Sequence, residues 1–293
     1  MFTGKGGVGK TTTSVATALY LADRNRVLLL STDPSGSLSS LFNITFRGTV
    51  ETVSANLDVI ELTRPVILKL WRDKFGEEIY TVISSLLPVE PDIIDYIAGA
   101  PALDEEFMLD YLLDVSRSGK YDCIVWDTAP TSSTLNLLQI QHLFYSHLGE
   151  AQKLYLNIRG ALAKLRRKAG EEPLVLIEKW RKLTEDIFSM LARDTATWIV
   201  ANPERLPVEQ ALVIGQSLAA FGIRIDGYIL NRIYPEALCT ASEFMREKRR
   251  SQLVWHDTLI DRADRPVKVI EERAGDITDR EALLKIARQI HGT

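Results

Sequence analysis

The chain has 293 residues, of which 46% are hydrophobic and 25% are charged, and its formal net charge is -4. This composition is typical of a globular protein with a full core, and the negative charge argues against broad nucleic-acid binding. No run of 18 apolar residues is present, so we expect no membrane span. Two cysteines do not make a disulfide framework in so long a chain, and the glycine loop near Met1 leaves no room for a signal peptide. We therefore expect a cytoplasmic protein.

Short apolar segments alternate with segments of helical periodicity, a pattern that predicts a parallel β-sheet connected by helices. Only three residues precede the first glycine, so the first strand is very short or the chain begins a few residues late. The other candidate strands are 26–32, 57–63, 121–127, 197–202 and 225–231, with a weaker sixth at 265–271. Several are apolar throughout, as expected of strands that are covered on both faces.

Two longer segments, about 64–118 and 132–194, have helical periodicity and are each too long for one connecting helix. Part of each must therefore form a separate helical layer. We predict an α/β fold with a mostly parallel central sheet flanked by helices. One domain over 1–293 would carry an inserted helical subdomain built from these two segments.

The glycine-rich loop near the start of the chain satisfies two phosphate-binding patterns. Gly4, Gly6 and Gly9 fit the dinucleotide pattern G-x-G-x-x-G, whereas Gly4, Gly9, Lys10 and Thr11 fit the P-loop pattern G-x-x-x-x-G-K-[ST]. Both patterns place phosphate on backbone N–H groups at a helix N-terminus. Lys10 and Thr11 discriminate between them, because a triphosphate site needs a lysine for the β- and γ-phosphates and a hydroxyl for Mg²⁺.

Two acidic residues bear on the same choice. Asp33 follows the second predicted strand, where both patterns use an acid, so it does not discriminate. Asp127 ends the apolar run of the 121–127 strand, the position of a Walker-B aspartate that holds Mg²⁺ through water. The dinucleotide interpretation gives Asp127 no role, and its alternative role is the cap of a helix that begins near Thr131. Together with the loop, Asp127 favours a nucleoside triphosphatase.

A second lysine, Lys5, lies inside the loop. The phosphates bound by its own subunit do not need it, since Lys10 already serves them. Lys5 could instead reach a nucleotide held by a facing subunit and supply positive charge to the transition state, as an arginine finger does. The alternative is a solvated loop lysine.

Six segments together resemble the arsenical-pump and tail-anchored-protein-targeting ATPases, the ArsA-type branch of the deviant-P-loop class. In family order over essentially the whole chain they are GKGGVGKTT, STDPSGSLSS, GAPALDEEF, DTAPTSSTLNLL, NPERL and GYILNR. The first and fourth are shared with other deviant-P-loop ATPases, such as the MinD-like proteins. The NPE and NR pair narrows the resemblance to the ArsA-type branch.

The resemblance implies a P-loop ATPase fold with a deviant Walker A motif, ATP and Mg²⁺ as ligands, and roles at matching positions. Asp33 would orient and activate the attacking water, and Lys5 would cross the dimer, so that Asp33, Lys5 and Lys10 are the predicted catalytic residues. Mg²⁺ would be held by Thr11, Asp33 and Asp127. The predicted nucleotide-binding residues are Gly4, Lys5, Gly6, Gly7, Val8, Gly9, Lys10, Thr11, Thr12, Glu204, Asn231 and Pro266.

The more distant residues of this set have separate implied roles. Asn231 would hydrogen-bond adenine, Glu204 would contact the nucleotide of the opposite protomer, and the 265–275 loop would cover the base. Considered as isolated residues, Asn231 ends a strand and Glu204 caps a helix. Thr128 and Pro130 would lead from the second switch toward the helical layer.

The chain departs from the family pattern at two switches and at one cysteine. Gly36 stands where the first switch has histidine, and Ser132 and Ser133 replace Gly-His in the second. Magnesium and phosphate chemistry stays possible in principle. The relay of nucleotide state to the helical layer and the rate of hydrolysis are the two properties that these replacements leave open. The dimer-clasping C-x-x-C keeps Cys239 but has Ser242 at the second position, so we expect no structural zinc. Cys123 is expected to be a core residue.

One P-loop per chain implies a homodimer if the site is completed across subunits. The favoured function is a nucleotide-switched ATPase that binds and targets tail-anchored membrane helices. A first alternative is the ATPase subunit of an arsenite or anion efflux pump. Metalloid binding uses soft thiolate ligands, and a chain with two cysteines is a poor fit for such a site. A second is a MinD-like nucleotide-switch scaffold, for which the basic face at 164–168 could serve a partner.

Overall fold

The computed structural model describes most of the chain, with gaps concentrated between the fifth and sixth strands. The described residues are 1–33, 36–85, 87–98, 103–129, 145–146, 148–150, 152–153, 156, 172–240, 242–275, 277 and 279–292, with only the backbone described at 103–106 and 172. Several sequence predictions fall outside these residues. They concern Pro130, Ser132, Ser133, the basic face at 164–168 and much of the helical segment 132–194.

The described strands form one eight-stranded sheet in the order β3-β4-β2-β5-β1-β6-β7-β8. Neighbouring strands are parallel, except that β3 is antiparallel to β4. The strands are β1 Phe2–Gly4, β2 Val27–Ser31, β3 Glu51–Ser54, β4 Leu57–Glu61, β5 Cys123–Asp127, β6 Thr197–Ala201, β7 Ile225–Ile233 and β8 Val267–Glu271. The predicted α/β fold with a mostly parallel sheet is confirmed, and all six candidate strands are present. The antiparallel edge strand β3 was not predicted.

The described helices belong to two compact units of the chain, which consist of residues 1–62, 118–135 and 192–293, and of residues 63–117 and 136–191. The helices are α1 Lys10–Leu21, α2 Ser37–Phe42, α3 Arg64–Ser84, α4 Ile93–Ala98, α5 Leu103–Arg117, α6 Glu172–Ser189, α7 Arg205–Ala220, α8 Glu236–Cys239, α9 Glu243–Arg262 and α10 Arg280–His291. The first unit contains the sheet, and the second contains α3 to α6. The assignment of the second unit as an inserted subdomain of a single ATPase domain stays a prediction.

The core of the first unit lies between one face of the sheet and the helices α1, α2 and α10. Alternate strand residues such as Leu29, Val59 and Val125 pack there against Val15 and Leu38. All five residues of β2 are buried, as expected of a central strand with helices on both sides. Because Glu61, Ser31 and Asp127 continue the same alternation at the strand ends, they lie on the face that α1 covers.

The second unit is built around α3. Its helix packs with α4, α5 and α6, and the buried side chains Trp71, Phe75 and Phe107 lie between them. Lys74 forms ion pairs with Asp110 and Asp114 at the same helix contact. In the part of the chain that the structure describes, no helix is long and apolar enough to cross a membrane.

The strand order indicates at which edge of the sheet a ligand binds. β1 lies near the middle of the sheet, between β5 and β6. The strands β2 to β5 lie on one side of it and β6 to β8 on the other. In open parallel sheets, ligands bind beyond the carboxyl ends of strands at such a switch point. The loop that follows Gly4 leaves the sheet at this edge.

Candidate functional site

The glycine loop connects β1 to α1 and requires glycine at two points. A Cβ on Gly4, whose φ is +148°, would lie 2.2 Å from the carbonyl oxygen of Val200 in β6. Gly9 is the N-cap of α1 with φ 97°, and a Cβ there would lie 2.3 Å from the amide nitrogen of Asn231. No side chain caps α1, so the backbone N–H groups of its first turn face the loop. This arrangement provides an anion-binding helix N-terminus.

Lys10 is the first residue of α1 and is almost fully buried, with 4% of its surface exposed. Its ammonium donates a hydrogen bond to the carbonyl oxygen of Lys5 across the loop, at 3.3 Å. Burial lowers the pKa of Lys10, while the carboxylates of Asp127 and Asp33 act in the opposite direction. The lysine charge is therefore held inside the loop, close to two acidic groups.

Asp127 ends β5 and is completely buried. One carboxylate oxygen, Oδ2, accepts hydrogen bonds from the hydroxyl of Thr11 at 2.8 Å and from that of Ser31 at 3.2 Å. The other oxygen, Oδ1, is buried and has no hydrogen-bond partner in the described part of the protein. Burial raises the pKa of Asp127 to about 6, with Thr11, Lys10 and Ser31 opposing this effect and Asp33 adding to it.

The residues around Asp127 fit a magnesium ion. Mg²⁺ prefers hard oxygen ligands, and protein sites commonly supply only one or two of them beside waters and phosphates. Thr11 offers a hydroxyl in contact with a carboxylate, and that carboxylate has a second, unpartnered oxygen. No group of three or more candidate metal-binding His, Cys, Asp or Glu side chains occurs among the described residues.

Asp33 lies two residues beyond the end of β2 and is half-buried. Its backbone N–H donates to the hydroxyl of Ser31 at 3.2 Å, and Ser31 in turn donates to Asp127. The effects of the Asp33 charge on the pKa values of Lys10 and Asp127 show that the three groups share one electrostatic environment. Ser31 was not predicted from the sequence, although a serine at the end of a fully apolar strand is a recognisable signal.

A cavity of about 310 Å³ adjoins the loop on the side of β7 and β8. Its lining includes Gly9, Thr12, Asn231 and the segment Glu271–Arg273. The side-chain amide of Asn231 donates to the carbonyl oxygen of Val8 at 2.8 Å, which joins β7 to the phosphate loop. The structure therefore brings Asn231 and Thr12 to the same place as the loop.

Arg232, which also lines this cavity, has an unusual backbone conformation. Its φ of 69° lies in the left-handed region, and the register of β7 against β8 shifts between Asn231 and Ile233. Such a bulge changes the direction of the side chains that follow it. In Arg273, on the opposite wall of the cavity, the Nε atom is buried without a hydrogen-bond partner in the described part of the chain.

Two predicted nucleotide-binding residues, Pro266 and Glu204, do not line this cavity. Pro266 precedes β8, so it lies at the amino edge of the sheet, where its carbonyl oxygen accepts from the N–H of Tyr228 at 2.9 Å. Because β8 is parallel to β1, the part of the 265–275 segment that reaches the cavity lies beyond the middle of β8, and Pro266 does not line the cavity. Its role in nucleotide binding stays a prediction. Glu204 is the exposed N-cap residue of α7 beyond β6, and its side chain makes no capping hydrogen bond.

The cysteines have local contacts. The thiol of Cys239 lies 3.4 Å from the carbonyl oxygen of Pro235 and 3.5 Å from that of Met245, and Ser242 caps α9 by accepting from the N–H of Met245. Cys123 opens β5 and is half-buried rather than a full core residue, and burial raises its pKa. The absence of a structural zinc stays a prediction.

The sequence model of the anion-transporting ATPases matches residues 1–292. The chain belongs to this family. The predicted resemblance to the ArsA-type ATPases is confirmed, and with it the assignment as a P-loop ATPase. The dinucleotide interpretation of the glycine loop is excluded, although the loop matches that pattern too.

Relatives of this anion-transporting ATPase carry two kinds of name. This chain is 36% identical over 253 residues to arsenical pump-driving ATPase 2 of Aquifex aeolicus, a name that was given provisionally. The match covers 85% of this chain and 83% of the relative. The chain is 29% identical over 270 residues to the ATPase ASNA1 homolog of Dictyostelium discoideum, covering 85% and 78%. It is 31% identical over 248 residues to the arsenical pump-driving ATPase of Acidiphilium multivorum, covering 80% of this chain and 39% of the relative. The chain thus spans well under half of that last protein.

Proposed function

We propose that this ATPase hydrolyses ATP in a Mg²⁺-dependent reaction at the carboxyl edge of its sheet, as a nucleotide-switched homodimer. The observation that carries the proposal is the contact of the Thr11 hydroxyl with Asp127, whose second carboxylate oxygen is buried near Lys10 and has no partner among the described residues. A hydroxyl, a carboxylate and a lysine at the start of one helix are the groups that a bound nucleoside triphosphate requires.

In this proposal each group has one task. Lys10 and the backbone N–H groups from Gly6 to Thr11 hold the phosphates, and Thr11, Asp127 and Asp33 are the residues that would hold Mg²⁺. The ion would supply positive charge to the β- and γ-phosphates. The Asp33 carboxylate orients a water for in-line attack on the γ-phosphate. Catalysis then comes mainly from positioning and charge neutralisation.

The base belongs in the cavity beside the loop. Its position is supported by the lining residues Thr12 and Asn231 and by the segment Glu271–Gly275, which form a recess continuous with Gly9. The recess is formed in a single unit of the chain, so it accounts for nucleotide binding by one protomer. We assign Asn231 as the residue that contacts adenine.

The homodimer is proposed from Lys5. Within the described residues the Lys5 ammonium makes no hydrogen bond or ion pair, while its carbonyl oxygen accepts from Lys10. A half-buried lysine next to the phosphate site can reach the nucleotide of a facing protomer. Glu204, exposed beyond β6 at the same edge, is proposed to contact that nucleotide from the partner subunit.

We propose tail-anchored membrane helices as the cargo, bound by the helical unit, which we take to be an inserted subdomain. The names of two relatives favour a second candidate, an ATPase that drives an arsenical pump. Metalloid binding requires soft thiolates. The Cys239 thiol is buried against backbone carbonyl groups, which argues against that role. The third candidate is a nucleotide-switch scaffold that carries no cargo. The cargo experiment described below distinguishes it from the other two.

The hydrolytic assignment is tested with Asp33→Asn. We expect ATP affinity to change by less than twofold and turnover to fall by about 100-fold or more, because water activation by a positioned acid or base contributes roughly 100- to 10,000-fold. The control is Asp23→Asn, which makes the same change at an exposed aspartate near Arg280. Full turnover in Asp33→Asn would exclude Asp33 as the residue that activates water.

The cargo is tested with the ATP-loaded Asp33→Asn variant and a peptide of about 20 apolar residues, the length of a membrane-spanning helix. We expect stable co-purification with this peptide and none with a control peptide interrupted by charged residues. ATPase activity of the wild type is measured in parallel with and without arsenite. Stimulation by arsenite without peptide capture would favour the pump, and neither effect would favour the scaffold.

A further inference from the structure

Glu61 is a buried acid for which the proposed reaction has no role so far. It is the last residue of β4, is 4% exposed, and pairs in register with Ser31 of β2. Ser31 also pairs in register with Asp127 of β5. Glu61 and Asp127 therefore lie on either side of Ser31, at the carboxyl edge and on the same face of the sheet.

The Glu61 carboxylate holds helix α2. Its Oε2 atom accepts a hydrogen bond of 2.8 Å from the hydroxyl of Ser39, in the first turn of the helix. The neighbouring residue Leu38 is completely buried in the core cluster beneath α1. Ser39 is thus fixed on one side by packing and on the other by a charged acceptor.

Helix α2 begins four residues after Asp33 in the sequence. Gly36 is its N-cap, with φ 70°, and the N–H of Ser40 donates to the Gly36 carbonyl oxygen at 3.3 Å. Upstream, the N–H of Asp33 is held by Ser31. Asp33 therefore lies between two anchors, one on β2 and the other on β4 through α2.

The second oxygen of Glu61 indicates that packing alone does not explain this residue. Oε1 is buried, and within the described residues it has no hydrogen-bond partner, nor does Glu61 form an ion pair. A buried carboxylate with one hydrogen bond destabilises a fold, and an apolar residue would fill such a site at less cost. What the carboxylate provides here is a strong acceptor for Ser39, since hydrogen bonds to charged groups are about twice as strong as neutral ones.

We propose that Glu61 is a positioning residue for hydrolysis, which anchors α2 through Ser39 and thereby sets the place of Asp33 beside the phosphate loop. This inference rests on the proposed role of Asp33. It assigns to Glu61 no contact with nucleotide or metal.

The test compares Ser39→Ala, Glu61→Ala and Glu61→Gln. The matched control is Thr52→Ala, which removes another hydroxyl–carboxylate hydrogen bond, 2.7 Å long, from Thr52 to Asp58 of the same strand β4. We expect kcat to fall about tenfold in Ser39→Ala and Glu61→Ala, with the KM for ATP changed by less than twofold. Glu61→Gln keeps an oxygen acceptor for Ser39 and should recover most of the kcat. Thr52→Ala should behave as the wild type.

A second measurement does not depend on turnover. In nucleotide-free protein, hydrogen exchange of the α2 amides (37–42) should be at least fivefold faster in Ser39→Ala than in Thr52→Ala. Unchanged exchange and unchanged kcat in Ser39→Ala would overturn the proposal even if Glu61→Ala fails to fold. A Glu61→Gln variant as inactive as Glu61→Ala, with wild-type exchange, would also overturn it. If Asp33→Asn keeps full turnover, the proposed function fails instead, and the exchange experiment still decides whether Glu61 anchors α2.

Discussion

Replacing Asp127 by asparagine should stabilise the protein in the absence of nucleotide and Mg²⁺ and abolish the further stabilisation that Mg²⁺ gives in the presence of ATP. Asp127 is completely buried, and burial raises its pKa from 3.8 to about 6. At neutral pH the folded protein therefore carries a carboxylate that the unfolded chain holds more favourably in water. Asparagine has nearly the same shape and no charge.

The magnitude follows from the two pKa values. Because the folded-state pKa is raised, the folded protein binds more protons than the unfolded chain between about pH 3.8 and about pH 6. The wild type thus loses stability as the pH rises through this window, by about 3 kcal/mol in all at pH 8 and by roughly half of that at pH 5. Loss of a charge-assisted hydrogen bond from Thr11 or Ser31 should offset about 1 kcal/mol in the variant.

The assay is urea unfolding followed by circular dichroism at pH 5, 6.5 and 8, in buffer that contains a metal chelator. Asp127→Asn should be more stable than the wild type by about 2 kcal/mol at pH 8, and most of this difference should be lost at pH 5. Asp122→Asn is the matched control in the turn before β5. Hydrogen bonds from Arg26 lower the pKa of Asp122 to about 2, so its replacement should reduce stability at pH 8.

Addition of ATP and Mg²⁺ supplies the functional half of the experiment. The wild type should gain stability from Mg²⁺ beyond that given by ATP alone, since a ligand of the folded state stabilises it. Asp127→Asn should not. A variant no more stable than the wild type at pH 8, or a stability difference independent of pH, would refute the electrostatic reasoning. A full response to Mg²⁺ would refute the metal assignment.

Two further predictions concern the loop. Lys5→Ala should abolish ATP hydrolysis while an isolated protomer still binds ATP, and the specific activity of the wild type should fall on dilution; activity strictly proportional to protein concentration at high dilution would contradict the cross-dimer role. Gly4→Ala should destabilise the protein by about 3 kcal/mol in thermal unfolding, because the added Cβ meets the Val200 carbonyl oxygen at 2.2 Å and φ is +148°. Gly149→Ala is the control, because its added Cβ would meet no atom of the described residues within 4 Å. Equal melting temperatures of the two variants would contradict the steric argument.

The central strands could be predicted because their signal is local. Continuous apolar runs such as Leu28–Leu30 mark strands that are buried on both faces, and they allow few other structures at that length. β3 has no such signal, because Glu51, Thr52 and Ser54 make it a polar edge strand. The helical segment 64–118 was predicted as one stretch, whereas the structure divides it into α3, α4 and α5. Pro88 and Pro91 lie between α3 and α4, where they interrupt the helix.

The phosphate loop could also be predicted, since its chemistry lies in consecutive residues. The rest of the site depends on the register between strands that are distant in sequence. A local sequence pattern does not predict this register. Ser31 connects Asp33 to Asp127 because β2 and β5 are neighbouring strands whose register places Ser31 beside Asp127. The position of Pro266 depends on strand direction in the same way, because the direction of β8 decides which end of the 265–275 segment lies at the carboxyl edge of the sheet.

The central position of β1 has a consequence for synthesis of the chain. β1 pairs with β5 at Asp127 and with β6 at Trp198, and α1 is covered by α10, where Thr17 and His291 are in contact across 274 positions of sequence. β1 and α1 are thus made long before the strands and the helix that cover them. Folding in which distant segments must meet is slow, and incomplete sheets expose strand edges. On the ribosome the phosphate loop should stay without its supporting strands until β6 emerges, so nascent chains should acquire ATP binding late and require protection from aggregation until then.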